Sequence, residues 1–118
     1  MTVTPTLLKG PFFPAPGLKI AVYQTALDAG HASGGEPIDL TADFTYVYAI
    51  LPGGNDTAAD NYAAKIDFIY PAPTVTISSS TVLITACWSA DGTDGEAFVE
   101  STEDLSDIGQ FSFTVIGA

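Results

Sequence analysis

Three carboxylates crowd into residues 89–98, SADGTDGEAF, where Asp91, Asp94 and Glu96 alternate with two glycines. Such a cluster could bind calcium, supply catalytic acids, or lie solvated in a turn. Counted from Asp91, the third, fifth and twelfth positions are Thr, Gly and Thr, so the EF-hand pattern of oxygen ligands is not met. An Asp–Gly pair between strand-like runs is typical of a tight hairpin turn. We therefore predict a turn here, with a cation site formed by the three carboxylates as the open alternative.

The other reactive side chains form no recognisable site. Asn55, Asp56 and Asp60 lie in a second acidic loop between two strand-like runs, and solvation in a turn again explains them best. His31 stands alone in a glycine-rich loop, and Cys87 stands alone in an apolar run, where a cysteine is usually a small buried hydrophobe. No phosphate-binding glycine motif or nucleophile elbow is found. The sequence predicts no catalytic residue, no metal site and no cofactor.

The net charge of the chain limits the classes of partner that it is expected to bind. The chain has 118 residues with 14 acidic side chains, three lysines and no arginine, so its net charge is −11. Binding to nucleic acid or to anionic membranes depends on clustered basic residues. The composition therefore argues against both partners. Hydrophobic residues make up 47% of the chain, which is typical of one folded domain, and no apolar run approaches the roughly 20 residues of a membrane-spanning helix.

Apolar residues alternate with a period of two from residue 18 onward, which is the pattern of β-strands. About seven short runs follow it, and only residues 102–109, TEDLSDIG, look helical. The fold class predicted is all-β, an antiparallel β-sandwich or jelly roll, in a domain spanning residues 18–118. Residues expected to share one face of their strand are Leu18, Ile20 and Val22; Phe44, Tyr46, Tyr48 and Ile50; Ile66, Phe68 and Tyr70; Val75 and Ile77; and Phe111, Phe113 and Val115.

Residues 1–17 carry four of the eight prolines and are predicted to form an extended N-terminal arm. Proline excludes a helix or a central strand. The arm is nevertheless apolar, and extended proline-rich chain with aromatic anchors is suited to docking on another surface. The contact residues predicted are Leu7, Leu8, Phe12 and Phe13. The alternative is an arm packed on its own domain.

Residues 87–117, CWSADGTDGEAFVESTEDLSDIGQFSFTVIG, preceded by GEPIDLTADFTYVYAI (35–50) and GGNDTAADN (53–61), resemble small structural proteins of tailed bacteriophages. These are capsid decoration, cement or head-fibre proteins. The resemblance implies a β-sandwich, often a homotrimer, that binds the major capsid protein on the outer surface of the virion after synthesis in the host cytoplasm. It implies no catalytic residues.

Two functional hypotheses follow. The first is a non-enzymatic decoration protein that stabilises a phage capsid. The second is a module that binds carbohydrate or another host-surface molecule and is displayed on a head fibre or tail. For the second, the candidate stacking residues are Tyr46, Tyr48, Tyr62, Tyr70 and Trp88.

Overall fold

The computed structural model describes residues 3–26, 35–55, 64–88, 99–100 and 110–118. These residues are all-β and contain no helix. They form eight strands: β1 (Thr6–Ala15), β2 (Leu18–Ala26), β3 (Glu36–Ile38), β4 (Val47–Asn55), β5 (Ala64–Ile69), β6 (Val82–Trp88), β7 (Val99–Glu100) and β8 (Gln110–Gly117). The predicted helix at 102–109, the acidic turn at 89–98 and His31 lie outside the described residues.

The strands are arranged in two antiparallel sheets. The first sheet has the order β1-β2-β8-β4, so the last strand in the chain lies at its centre. In the second sheet β6 is central: β5 pairs with one edge, while β3 and β7 pair with the other. Three of the six pairings between described strands, β2 with β8, β4 with β8 and β3 with β6, join strands that are not consecutive in the chain, so long-range pairing contributes to both sheets.

The core lies where the two sheets meet. In β8 every second residue is buried, and Phe111, Phe113 and Val115 are the side chains on the covered face, as the alternation predicted. Phe68 of the second sheet reaches them, with its ring centroid 6.5 Å from that of Phe111 and 5.2 Å from that of Phe113. Ile66, Phe68 and Tyr70 pack against the buried cluster. The predicted inward face of this strand is confirmed.

Residues 6–15 of the predicted arm form β1, an edge strand of the first sheet. Its pairing with β2 is antiparallel and is interrupted by three register shifts. Val3 is tied to β3 of the other sheet, because its N–H donates to Pro37 O and its own carbonyl accepts from Asp39 N–H, both at 2.8 Å. An arm separate from the domain is therefore not confirmed. Prolines are tolerated here because only one side of an edge strand needs backbone donors.

A β-bulge in β4 changes which of its residues face the core. Val47 pairs with Gly117, but Ala49, not Tyr48, pairs with Ile116. The extra residue reverses the alternation, so Val47 and Ile50 are both buried. The prediction that Tyr46, Tyr48 and Ile50 share one face is wrong, because a strict period of two cannot anticipate a bulge.

Two further differences concern short segments. Residues 74–78 were predicted as a strand with Val75 and Ile77 on one face, but they are not in a strand; Val75 is exposed and Ile77 is buried. Val75 N–H instead donates to Ala72 O in a turn that follows Pro71 and contains Pro73. The three-residue strand β3 was missed, since so short a run has no detectable period.

Candidate functional site

Charge is distributed very unevenly between the strands. The four strands of the first sheet contain no Asp or Glu, although the chain has 14 acidic residues. The same four strands hold Lys9 and Lys19, two of the three basic residues. Both edges and the centre of this sheet are thus free of carboxylates in an otherwise strongly acidic protein.

The four contact residues predicted from the sequence all lie on the edge strand β1. Their exposed fractions are 38% for Leu7, 45% for Leu8, 54% for Phe12 and 70% for Phe13. Leaving such side chains in water forfeits the gain from burying them, roughly 1.5–3 kcal/mol each when complete. Isolated exposed hydrophobic residues are common, but a contiguous set is typical of an interaction surface.

Because of the register of β1 against β2, these four residues do not all lie on the same side of the sheet. Phe12 is the partner of Ile20 and belongs to the exposed face of the first sheet, whereas Leu7 is the partner of Tyr23 on the covered face. Leu8 and Phe13 lie at the register shifts, without a paired residue opposite. The sheet therefore brings the four residues to one edge, but not onto one face.

A chain of contacts leads from the neighbourhood of the Phe13 ring into the core. Lys19 Nζ lies 6.0 Å from the centroid of the Phe13 ring and donates a hydrogen bond to Asp43 O at 2.9 Å. The Tyr23 hydroxyl donates to Asp43 Oδ2 at 2.8 Å. Burial and this hydrogen bond raise the pKa of Tyr23, which stays neutral at physiological pH. Asp43 thus links the edge strand to the buried ring of Tyr23.

The exposed face of the first sheet is a larger apolar surface than the sequence indicated. Two rows of paired residues cross all four strands, and we call them the exposed face: Phe12, Ile20, Ile116 and Ala49 in one row, and Lys9, Val22, Thr114 and Leu51 in the next. Seven of these eight side chains are uncharged. The sequence signal was available in β2, where Ile20 and Val22 alternate with the buried Ala21 and Tyr23, but it did not show which side is covered.

Two of the tyrosines proposed to stack on sugars line a shallow depression. Tyr46, Tyr48, Pro73 and Thr74 surround about 580 Å³ of space beside the start of β4. Tyr48, at the bulge, is 41% exposed. Of the other candidates, Tyr70 packs against the core, while Tyr62 and the Trp88 side chain lie outside the described part of the molecule.

The acidic clusters that the sequence analysis considered as candidate cation or catalytic sites lie largely outside the described residues. Asp91, Asp94 and Glu96, as well as Asp56 and Asp60, lie outside the described residues. Among the residues that are described, no group of three His, Cys, Asp or Glu side chains is placed to bind a metal. Nor does that part of the chain contain a helix long and apolar enough to cross a bilayer.

Comparisons with protein-family models, with curated proteins and with solved structures find no match to this chain.

Proposed function

We propose that this chain is a non-enzymatic structural protein of a tailed-bacteriophage virion. It binds the major capsid protein on the outside of the shell as a homotrimer and stabilises the shell. The observation that carries the proposal is β1, an edge strand that presents Leu8, Phe12 and Phe13 to solvent in a sheet without carboxylates. The resemblance of residues 35–50, 53–61 and 87–117 to decoration proteins supports the same function.

Two packed sheets suit this role. We propose that they form a β-sandwich, which is supported by the contacts of Phe68 with Phe111 and Phe113. A sandwich holds its edge strands rigidly, so that little ordering entropy is lost when β1 docks. The Lys19–Asp43–Tyr23 contacts restrain the neighbourhood of Phe13 in the same way.

Stabilisation of the shell follows from mass action. A protein that binds the assembled lattice but not free capsid subunits lowers the free energy of the closed shell. In a homotrimer, three copies of β1 engage neighbouring sites together, so that individually weak contacts gain affinity through effective concentration. The net charge of −11 opposes contact with packaged DNA, which fits a location outside the shell.

The first test uses particles of the phage that encodes this chain, prepared without it. Because β1 is paired to β2, point substitutions are better than deletion of the arm. We expect the double variant Leu8→Ser/Phe13→Ser to bind such particles roughly tenfold or more weakly, since truncating a central aromatic anchor typically has that effect. Quantitative co-sedimentation with the particles measures the affinity.

The matched control is Ile69→Ser/Val75→Ser, which removes two similarly exposed hydrophobic side chains outside the first sheet. It should bind as the unmodified protein does. Equal binding by both variants would contradict the role of β1, and a particle reconstruction that places the chain beside the genome would refute the function.

The tyrosine-lined depression favours a second candidate function, binding of a neutral carbohydrate. Aromatic rings present an apolar face to the C–H groups of a sugar and a hydroxyl to its polar groups. None of the four lining side chains is charged. Titration of a panel of neutral disaccharides against the protein and against Tyr48→Ala tests this function; binding that Tyr48→Ala abolishes would support it, and no binding to any member would refute it.

A further inference from the structure

We propose that copies of this chain associate with each other through the exposed face of the first sheet. The inference goes beyond the proposed function and does not depend on the capsid: a face that meets its own copy makes a two-fold contact and pairs two copies, whereas the proposed homotrimer is closed by contacts between different surfaces. The occupant of the face is a second copy of the same chain.

Charge points to a second copy. Each copy carries a net charge of −11, so any contact that brings carboxylates together is repulsive. The four strands behind the exposed face contain no carboxylate, and the face itself carries one charged side chain, Lys9. A surface without carboxylates lets two copies of so acidic a chain associate without this repulsion at the contact.

The character of the face suits contact between identical surfaces. When a patch meets its own copy, it must be self-complementary, which apolar side chains satisfy in any orientation and charged ones do not. Ile20, Val22 and Ile116 lie half-buried in the middle strands, and Phe12 and Leu51 lie at the two edges with 54% and 53% of their surface exposed. Burial of these side chains supplies the driving force.

The area is sufficient for a reversible contact. The whole side of the sheet that contains the exposed face has four strands about 4.8 Å apart, each with about eight residues at roughly 3.3 Å per residue, and so measures about 19 by 26 Å. Complete overlap of two such sides would bury about 1,000 Å² in total, an upper limit that falls in the range of weak, transient contacts. We therefore expect an oligomer that dissociates on dilution.

Association through the sheet edges is much less favourable. β1 contains Pro11 and Pro14 and three register shifts, and β4 contains Pro52 and two register shifts. Proline removes the backbone donor that a neighbouring strand needs, and bulges bend an edge away from regular pairing. Both edges of the first sheet are thus protected against pairing with a strand of another copy. The exposed face is therefore the surface of this sheet that is available for self-association.

The test compares two variants of the full chain that add the same charge at equally exposed positions. Leu51→Asp lies on the exposed face, whereas Ile69→Asp, with 52% of Ile69 exposed, lies on β5 of the second sheet. Sedimentation equilibrium over a wide range of protein concentration measures the mass and the dissociation constant. We expect the unmodified protein and Ile69→Asp to form the same oligomer, and Leu51→Asp to dissociate at least roughly tenfold more readily.

Three outcomes would overturn the inference: an unmodified chain that stays monomeric at every concentration, an oligomer that Leu51→Asp leaves intact, or equal weakening by both variants. The first of these outcomes includes a monomer that binds some other protein through this face. Circular dichroism confirms that both variants are folded. Because no capsid is present, failure here leaves the capsid-binding proposal to its own experiment with Leu8→Ser/Phe13→Ser.

Discussion

Tyr23 combines core packing with a polar contact. Its ring stacks on that of Phe113 with centroids 5.6 Å apart, while its hydroxyl donates to Asp43 Oδ2. Desolvation by burial raises its pKa above the ordinary value of 10.0, and the hydrogen bond to Asp43 and the charge of that carboxylate raise it further. The neutral phenol is therefore the form that the folded protein favours.

Tyr23 makes the free energy of unfolding depend on alkaline pH. Above about pH 10 the unfolded chain loses the phenol proton while the folded chain keeps it, so the folded protein binds more protons and its stability falls as pH rises. We expect Tyr23→Phe to lose about 1 kcal/mol at neutral pH, through the lost hydrogen bond, and to show a shallower decline above pH 10. Urea unfolding of both proteins at several pH values measures the difference.

Tyr48→Phe is a suitable control for this experiment, because Tyr48 is exposed and keeps its ring in the variant. The comparison shows whether removing any one tyrosine hydroxyl changes the alkaline slope. A slope that is the same for Tyr23→Phe and the unmodified protein would contradict the assignment of the pH dependence to Tyr23.

At the scale of the element, β8 organises the first sheet because it pairs with β2 along one edge and β4 along the other. Its last residue, Gly117, lies where β4 begins. A Cβ built there would collide with the backbone oxygen of Tyr46 and approach the Phe44 ring. The close approach of two backbones therefore requires glycine at this position.

We expect Gly117→Ala to lower the free energy of unfolding by about 1–3 kcal/mol, as overpacking does in well-packed interiors. Gly54→Ala is the matched control, since a Cβ at Gly54 of β4 meets no atom within 4 Å. That change should be nearly neutral. Chemical denaturation of the two variants measures both values, and similar stabilities would show that the approach of β8 to β4 tolerates a methyl group.

At the scale of the whole molecule, the dominant property is the absence of acidic residues from the four strands of the first sheet. All 14 acidic residues lie outside its four strands. Repulsion between two such molecules acts over the Debye length, which is about 30 Å at 0.01 M salt and about 8 Å at physiological ionic strength. Salt thus controls how closely two copies approach.

Raising the salt concentration should therefore strengthen self-association of the unmodified protein. Screening removes the repulsion between acidic surfaces, while contacts between apolar side chains are not weakened. Sedimentation equilibrium at low and physiological salt provides the measurement, and Leu51→Asp serves as the reference. Association that weakens with salt would indicate ion pairs at the interface, from Lys9 or Lys19 to carboxylates, instead of apolar contact.

Several features of the fold were predictable from particular residues. The alternation of Phe111, Phe113 and Val115 identified the inward face of β8, and that of Ile66 and Phe68 identified the inward face of β5. The exposed apolar residues of β1 were recognisable because apolar side chains lie among prolines. Their division between faces was not, because it depends on register shifts against β2.

The sequence by itself determined the β class, the charge of the molecule and the apolar character of the residues that become β1. The tertiary structure decided which strands are neighbours, and so gathered four strands without carboxylates into one sheet. It also decided which side of β2 is covered. A period of two assigns residues to opposite sides of a strand, but the covered side depends on contacts between residues far apart in the chain, such as Phe68 with Phe113.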